Sequence, residues 1–320
     1  MPEAVLQVGL GGWLCFIALI LGLLALDLLV FNRQARQTSI REALVLSGLW
    51  LGLALGFAGG LYAKAGAAPA AQFLSGYLLE LSLSVDNLFV FLLIFSAYRV
   101  PPKHLRKALF WGVLGAIVLR LAFISVGAAL ISRYEWILAV FGAFLLFTGV
   151  KLCFERDHGR SADSPLARGL RRVLPVTEAF DPGGAFFVRQ AGRWMATPLL
   201  LVVLVIESSD VLFAVDSIPA VFGVTRDPFI VFSSNIFAIL GLRSLFFALQ
   251  GLMHLFRFLK TGLALILILI GLKLCFSAWI ERRWGLQHTE AAVLGLVAAV
   301  LLGSVALSIL IPEKKASHGA

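Results

Sequence analysis

Apolar residues run in blocks along this chain, separated by short polar stretches. Nine blocks are long enough to cross a bilayer as helices, at about 8–31, 40–63, 71–98, 108–131, 134–153, 197–224, 229–253, 260–280 and 289–311. A span needs roughly 20 mainly apolar residues. The pattern therefore predicts an all-α polytopic membrane protein with about nine transmembrane helices, forming a single transmembrane domain over residues 1–320. Between the fifth and sixth blocks, residues 154–196 form the one long polar segment. It is basic and holds Pro165, Pro175, Pro182 and Gly183-Gly184. It reads as a loop with room for short interfacial helices.

Composition agrees with a membrane protein. The 320 residues are 60% hydrophobic and 14% charged, against roughly 25% charged in soluble domains. The net charge of +9 does not point to nucleic acid once the basic residues are placed. With nine spans, 18 loop and tail Lys and Arg fall on one side and 5 on the other. That bias marks the cytoplasmic side. It puts the N-terminus outside and the C-terminus in the cytoplasm of a multi-pass protein in the cell inner membrane. No Lys or Arg precedes the first block, and the block is too long for an h-region, so no cleavable signal peptide is expected. Cys15, Cys153 and Cys275 form no C-x-x-C pair, so neither a dithiol motif nor a disulfide framework is supported. The second block carries Gly48, Gly52, Gly56, Gly59 and Gly60, read as a helix-packing ridge.

Charge inside the apolar blocks changes the picture most. The sixth block holds Glu207, Asp210 and Asp216, and an Asp at a span centre costs about 2.5–3.5 kcal/mol on insertion scales. Three such residues on one span call for a cation, protons or basic partners. Pro219 lies four residues past Val215 and would free that carbonyl beside Asp216, so a kink is expected there. The third block carries Glu80, Asp86 and Asn87. Glu80, Ser84 and Asn87 share a helix face, whereas Asp86 is turned by about 120° from Glu80. Glu207 and Asp216 fall on opposite faces of an ideal helix, so they meet one ion together only if the helix breaks. Asp27 lies near the inner end of the first block, within reach of the interface. Arg120, Arg243, Lys151, Lys273 and Asn235 complete the embedded polar set.

Residues of about 71–153 resemble those of about 197–280. Val85-Asp86-Asn87 recurs as Val215-Asp216-Ser217, with an acid six residues earlier in each, and Arg120 is matched by Arg243. Gly149-Val150-Lys151-Leu152-Cys153-Phe154 recurs as Gly271-Leu272-Lys273-Leu274-Cys275-Phe276. The register of the acids is open, because Asp86 also aligns with Asp210. A three-span unit crosses the membrane an odd number of times, so its two copies run in opposite directions. Inverted repeats of this kind build transporters with a midplane site.

Six embedded acids against four bases that are embedded or near span ends leave two negative charges unbalanced if all ionise. That equals one divalent cation or two protons. The available ligands are all oxygens, which suits Mg, Ca or Mn rather than Zn or Cu. The metal-ligating candidates are Glu80, Asp86, Asn87, Glu207, Asp210 and Asp216, with Asp27, Arg120, Lys151, Asn235, Arg243 and Lys273 as supporting charges and dipoles. The competing reading is that the acids simply pair with the bases and knit the bundle. No hydrolytic motif is present, and all five histidines fall in loops or tails. An enzyme is not expected, nor a tightly bound cofactor.

At these residues the chain resembles the TerC/Alx family of integral membrane proteins. The matching pieces are Ser75 to Glu80, Ser84 to Phe91, Leu109 to Arg120, Glu207 to Ala220 and Asp227 to Ser244. The resemblance implies manganese export across the bacterial cytoplasmic membrane, with links to tellurite resistance, pH response and redox modulation. Mn2+ is then the expected transported ion, and the bilayer and a divalent metal are the expected partners. The missing C-x-x-C weighs against direct redox chemistry. The alternative within the family is a non-transporting stress, redox-modulating or tellurite-resistance module with ion-paired acids.

Overall fold

The computed structural model describes residues 6, 8–31, 39–134, 136–154, 169, 174–190, 192–252, 258–284 and 290–310; a few side chains inside its helices, those of Asp27, Asp86 and Asp216 among them, lie outside the described set. Helices dominate. They are α1 (Leu10–Phe31), α2 (Ile40–Ala65), α3 (Ala67–Ala97), α4 (Pro102–Arg133), α5 (Ile137–Phe154), α6 (Pro198–Phe222), α7 (Pro228–Leu252), α8 (Leu259–Trp284) and α9 (Glu290–Leu310). Each apolar block is met by one helix. Over the described residues seven of them, α2 to α7 and α9, are long and apolar enough to cross a membrane. The described apolar stretches of α1 and α8, 10–26 and 261–276, are shorter.

The ends of the helices follow local chemistry. Ser39 and Glu42 form a reciprocal capping box at the start of α2, satisfying two of its free amides. Pro101-Pro102 opens α4, because proline's missing N–H costs nothing in a first turn. His104, expected in a loop, therefore sits in the first turn of α4 and is buried. Asp227 Oδ1 accepts from the amides of Phe229 and Ile230 at 2.9 and 3.1 Å and starts α7. The kink expected at Pro219 is absent as a break: α6 runs through it to Phe222. Pro219 lies in the last turn, where few further helical bonds remain to be lost.

The bundle is built around α7, whose span is 89% buried. Around it pack α2, α3 and α4. Helix α3 also touches α6 and α9, α4 packs on α6, and α5 lies along α8. In lipid no hydrophobic force drives helices together, so close packing of small residues does. That is the character of the α5–α8 seam. A Cβ on Gly142 would meet the Gly271 carbonyl at 2.9 Å, and one on Gly149 would meet the Ala264 carbonyl at 3.0 Å. The α2 glycines behave otherwise. Nothing of the described chain lies within 4 Å of a Cβ at Gly48, Gly52, Gly56, Gly59 or Gly60. The face of α2 that packs is Ala43, Trp50, Ala54 and Ala58, so the expected packing ridge points away from the bundle. Helical spacing defines a face but not which face turns inward.

Loops sort onto two sides. On one, the N-terminal Leu6 amide donates to Asp227, and Thr225 donates to Gln72 at 2.8 Å. On the other, the start of α4 meets residues 180–186: Lys103 donates to the Pro182 carbonyl at 3.1 Å and Lys107 to that of Gly184 at 2.7 Å. Beyond the all-α expectation, the segment before α6 holds an antiparallel hairpin, β1 (Phe187–Gln190) and β2 (Arg193–Ala196), with Phe187 opposite Ala196 and Arg189 opposite Trp194.

Candidate functional site: a buried arginine between two carboxylates

Glu80, Arg120 and Asp210 each stand near the middle of a long helix, on α3, α4 and α6 respectively. Arg120 and Glu80 are 0% exposed and Asp210 2%. The Arg120 guanidinium joins all three helices. Its Nη1 forms an ion pair with Glu80 Oε1. Its Nη2 donates to Asp210 Oδ1 at 3.2 Å and its Nε to Oδ2 at 3.4 Å, the two-bond fork that suits arginine to carboxylates. Nη1 also reaches Ser217 Oγ at 3.1 Å and Asn235 Oδ1 at 3.4 Å. Asn235, on α7, returns a bond from Nδ2 to Glu80 Oε2 at 2.9 Å. Ser84, one turn past Glu80, donates to Oε1 at 3.4 Å.

This network answers the cost of burying charge at mid-span. One cation is shared by two anions, and a neutral amide bridges the second lone pair. Removing the cation would leave two carboxylates facing the same apolar volume. Every contact is by a side chain, so each helix keeps its own backbone bonds, as a membrane interior requires.

Next to this closed network lies an open one. Glu207 Oε2 and Asn87 Nδ2 are buried and have no hydrogen-bond partner among the described residues. Glu207 precedes Asp210 by about 4.5 Å along α6, and Asn87 follows Glu80 by about 10 Å along α3, at 1.5 Å per residue. Both displacements run toward the side that carries the hairpin and the start of α4. Gly115, five residues before Arg120, makes room for Glu207: a Cβ there would overlap its carboxylate.

The remaining expected site residues fall elsewhere or outside the described set. The side chains of Asp27, Asp86 and Asp216 are not described. Lys151 is exposed near the end of α5. Lys273 donates to the Gly223 carbonyl at 3.1 Å, just past α6. Arg243 is half-buried on α7, more than two turns from Asn235. Among the described residues no three Asp, Glu, His or Cys side chains gather as a metal-holding group; Arg120 bonds to the two acids that would begin one. Ser217 and Gly115 are the site residues that sequence reasoning passed over. A glycine inside an apolar helix is a sign of close approach, and Gly115 carried that sign, as Gly112 and Gly127 of the same helix do.

Buried acids at mid-span and an embedded arginine lie within the region, residues 65–316, that matches the integral membrane protein TerC family. The chain belongs to the TerC family. It is 47% identical over 296 residues to the membrane protein STKORF319 of Myxococcus xanthus, covering 92% of each chain. It is 48% identical over 301 residues to an Escherichia coli protein named as a membrane-bound redox modulator, Alx, covering 91% of each. A TerC relative from Arabidopsis thaliana, named as a chloroplast thylakoid membrane protein, is 44% identical over 262 residues, 82% of this chain and 67% of its own. No solved structure matches the chain.

Proposed function

We propose that this TerC protein exports a divalent metal ion, Mn2+, across the bacterial inner membrane by alternating access. Asp86, Asp210 and Asp216 are the core ligands, with Glu80, Glu207 and Asn87 in support. The observation that carries the reading is the pair of fully buried carboxylates, Glu80 and Asp210, held at mid-span by the single guanidinium of Arg120. In this reading Arg120 is a tethered stand-in for the cargo. It balances the acids when no metal is bound and gives them up when a metal arrives, so the empty carrier never holds bare charges in the bilayer. The unpartnered Glu207 and Asn87 oxygen and nitrogen supply polar atoms beside the site, toward the hairpin side. Hard oxygen ligands favour Mn2+, Mg2+ or Ca2+ over softer-preferring metals.

Nine spans and an inverted repeat belong to the same proposal. What supports the repeat is an exchange of contacts across the α5–α8 seam. Gly149 lies against Ala264 and Ile268, and Gly271 lies against Gly142 and Leu146. Gly149 and Gly271, Gly142 and Ala264, and Leu146 and Ile268 are each 122 positions apart. A pseudo-twofold relation between the halves produces this exchange. The excess of basic residues in its loops supports a cytoplasmic hairpin side, with the N-terminus outside and the C-terminus inside.

Purified protein in proteoliposomes tests the transport. Mn2+ movement under an imposed proton gradient is expected with the parent chain, and movement at the level of empty vesicles is expected with Asp210→Asn. A parent chain that moves no Mn2+ under any gradient would end the proposal. The second reading, a non-transporting stress or redox-modulating module, is favoured by the closed ion pairing at Arg120 and by the name of the Escherichia coli relative. Its mark would be Asp86→Asn and Asp210→Asn variants that keep full cellular metal tolerance. The three cysteines are free thiols and offer it no dithiol.

A further inference from the structure

Residues 174–190 and 192–197 are bound to the start of α4 by more than chain connection. The lysine bonds to Pro182 and Gly184 are joined by a His104–Phe180 ring contact at 6.1 Å and by Lys107 Nζ 4.7 Å over the Phe186 ring. Gly184, at φ +71°, lies so close to His104 that a Cβ there would meet its Nδ1 at 2.9 Å. Thr197 Oγ1 donates to the Ala185 carbonyl at 2.7 Å, and the Thr177 amide to that of Ala196 at 2.9 Å. These contacts fix the hairpin beside the bundle.

One face of the hairpin is open except at Ala196, which lies opposite Phe187 and is buried. Cross-strand partners share a face, so Phe187, Arg189 and Trp194 stand together. Phe187 is 54% and Trp194 68% exposed, and Arg189 is exposed. Val188 and Met195, on the opposite face, are half-buried. Arg193 is also exposed at the hairpin end. No acid occurs between Asp181 and Glu207. The height of the hairpin follows from two neighbours. Two residues after Ala196, α6 enters the apolar layer at Pro198. Phe186, next to β1, packs edge-on at 5.7 Å against Trp111, which α4 leaves exposed. Aromatic residues with basic neighbours at this level are the mark of a membrane interface.

We infer that the Phe187–Arg189–Trp194 face of the hairpin lies in the headgroup layer of the protein's own membrane and recognises anionic phospholipid. Phe187 and Trp194 enter the acyl boundary and Arg189 binds phosphate beside them, while Arg193, which pairs with Gln190 on the other face, reaches phosphate from the hairpin end. Each basic residue near an anionic surface strengthens such attachment.

The test uses the full chain in vesicles of phosphatidylcholine or of an equimolar phosphatidylcholine–phosphatidylglycerol mixture. Trp194 is read as the emission difference between the parent and Trp194→Phe. Brominated acyl chains should quench that difference at least about twofold more strongly in the anionic vesicles. Arg189→Gln with Arg193→Gln should lower the anionic value to the zwitterionic one, with the unfolding temperature unchanged. Quenching by aqueous acrylamide but not by brominated lipid would place the face in water and overturn the inference. Protection from both quenchers would mean that protein covers it, with the same consequence. Equal bromolipid quenching in the two membranes would remove the anionic recognition.

Discussion

Along the α5–α8 seam, Gly142 and Gly271 bring two backbones together; across α3, α4 and α6, a fully buried guanidinium joins two carboxylates. Both contacts join residues of about 71–153 to residues of about 197–280, and both lie well inside helices. The seam contains no adjustable part. A side chain added at either glycine would meet a carbonyl below 3 Å, and nothing mobile can replace what holds it. The centre is held by a cation on a long, flexible stem, and its partners are groups that a diffusible cation also satisfies. One contact fixes a distance, whereas under the proposed transport the other is exchanged for cargo. A carrier needs one of each.

Breaking the exchangeable contact should have the largest effect. Arg120→Ala leaves Glu80 and Asp210 buried without their cation, and loss of one side of a buried pair costs about 3–5 kcal/mol. Unfolding in detergent would measure it. If a metal can stand in for the guanidinium, millimolar Mn2+ should restore more stability to Arg120→Ala than it adds to the parent, because a ligand stabilises whatever state binds it more tightly. Equal gains in the two proteins would deny the exchange.

The seam comes next. Gly271→Val forces α5 and α8 apart, and overpacking costs about 1–3 kcal/mol. Thermal unfolding should fall while Mn2+ affinity per folded molecule stays at the parent value. A seam variant that lost metal binding without losing stability would show that the two contacts are not separable.

Smaller in stability, but informative, is Asp210→Asn. The amide keeps one of the two Arg120 acceptors and Arg120 keeps Glu80, so the stability loss should be smaller than for Arg120→Ala, while Mn2+ flux in proteoliposomes falls to background. Smallest is Gly115→Ala. The overlap is with the free end of the flexible Glu207 side chain, which can turn aside, so unfolding should move little. Glu207 would leave its place beside the site, and Mn2+ affinity, read by titration, should weaken.

The helices were legible because length and apolarity alone specify a span, whatever its neighbours. The hairpin was not: its strands are four residues long and lie in a basic segment without alternation. The costly charges at Glu80, Arg120 and Asp210 stood out for the same reason as the spans, since ionised groups are rare in lipid-facing sequence. That Arg120 joins Glu80 to Asp210 could not be read, because periodicity orders residues on one helix and says nothing of how α3, α4 and α6 are rotated against each other. The α2 glycines misled for that reason too. Lys151, read as embedded or near a span end, stands within a turn of the end of α5, where a long basic side chain reaches the interface.

The central claim is that these buried acids bind a divalent cation in competition with Arg120. Electron paramagnetic resonance of Mn2+ titrated into purified protein tests it most directly, since the sharp signal of the free ion is lost on binding. The account predicts saturable loss with the parent chain, tighter binding with Arg120→Gln, and none with Glu80→Gln combined with Asp210→Asn. A free-ion signal unchanged by the parent chain, or bound equally by the double variant, would contradict it.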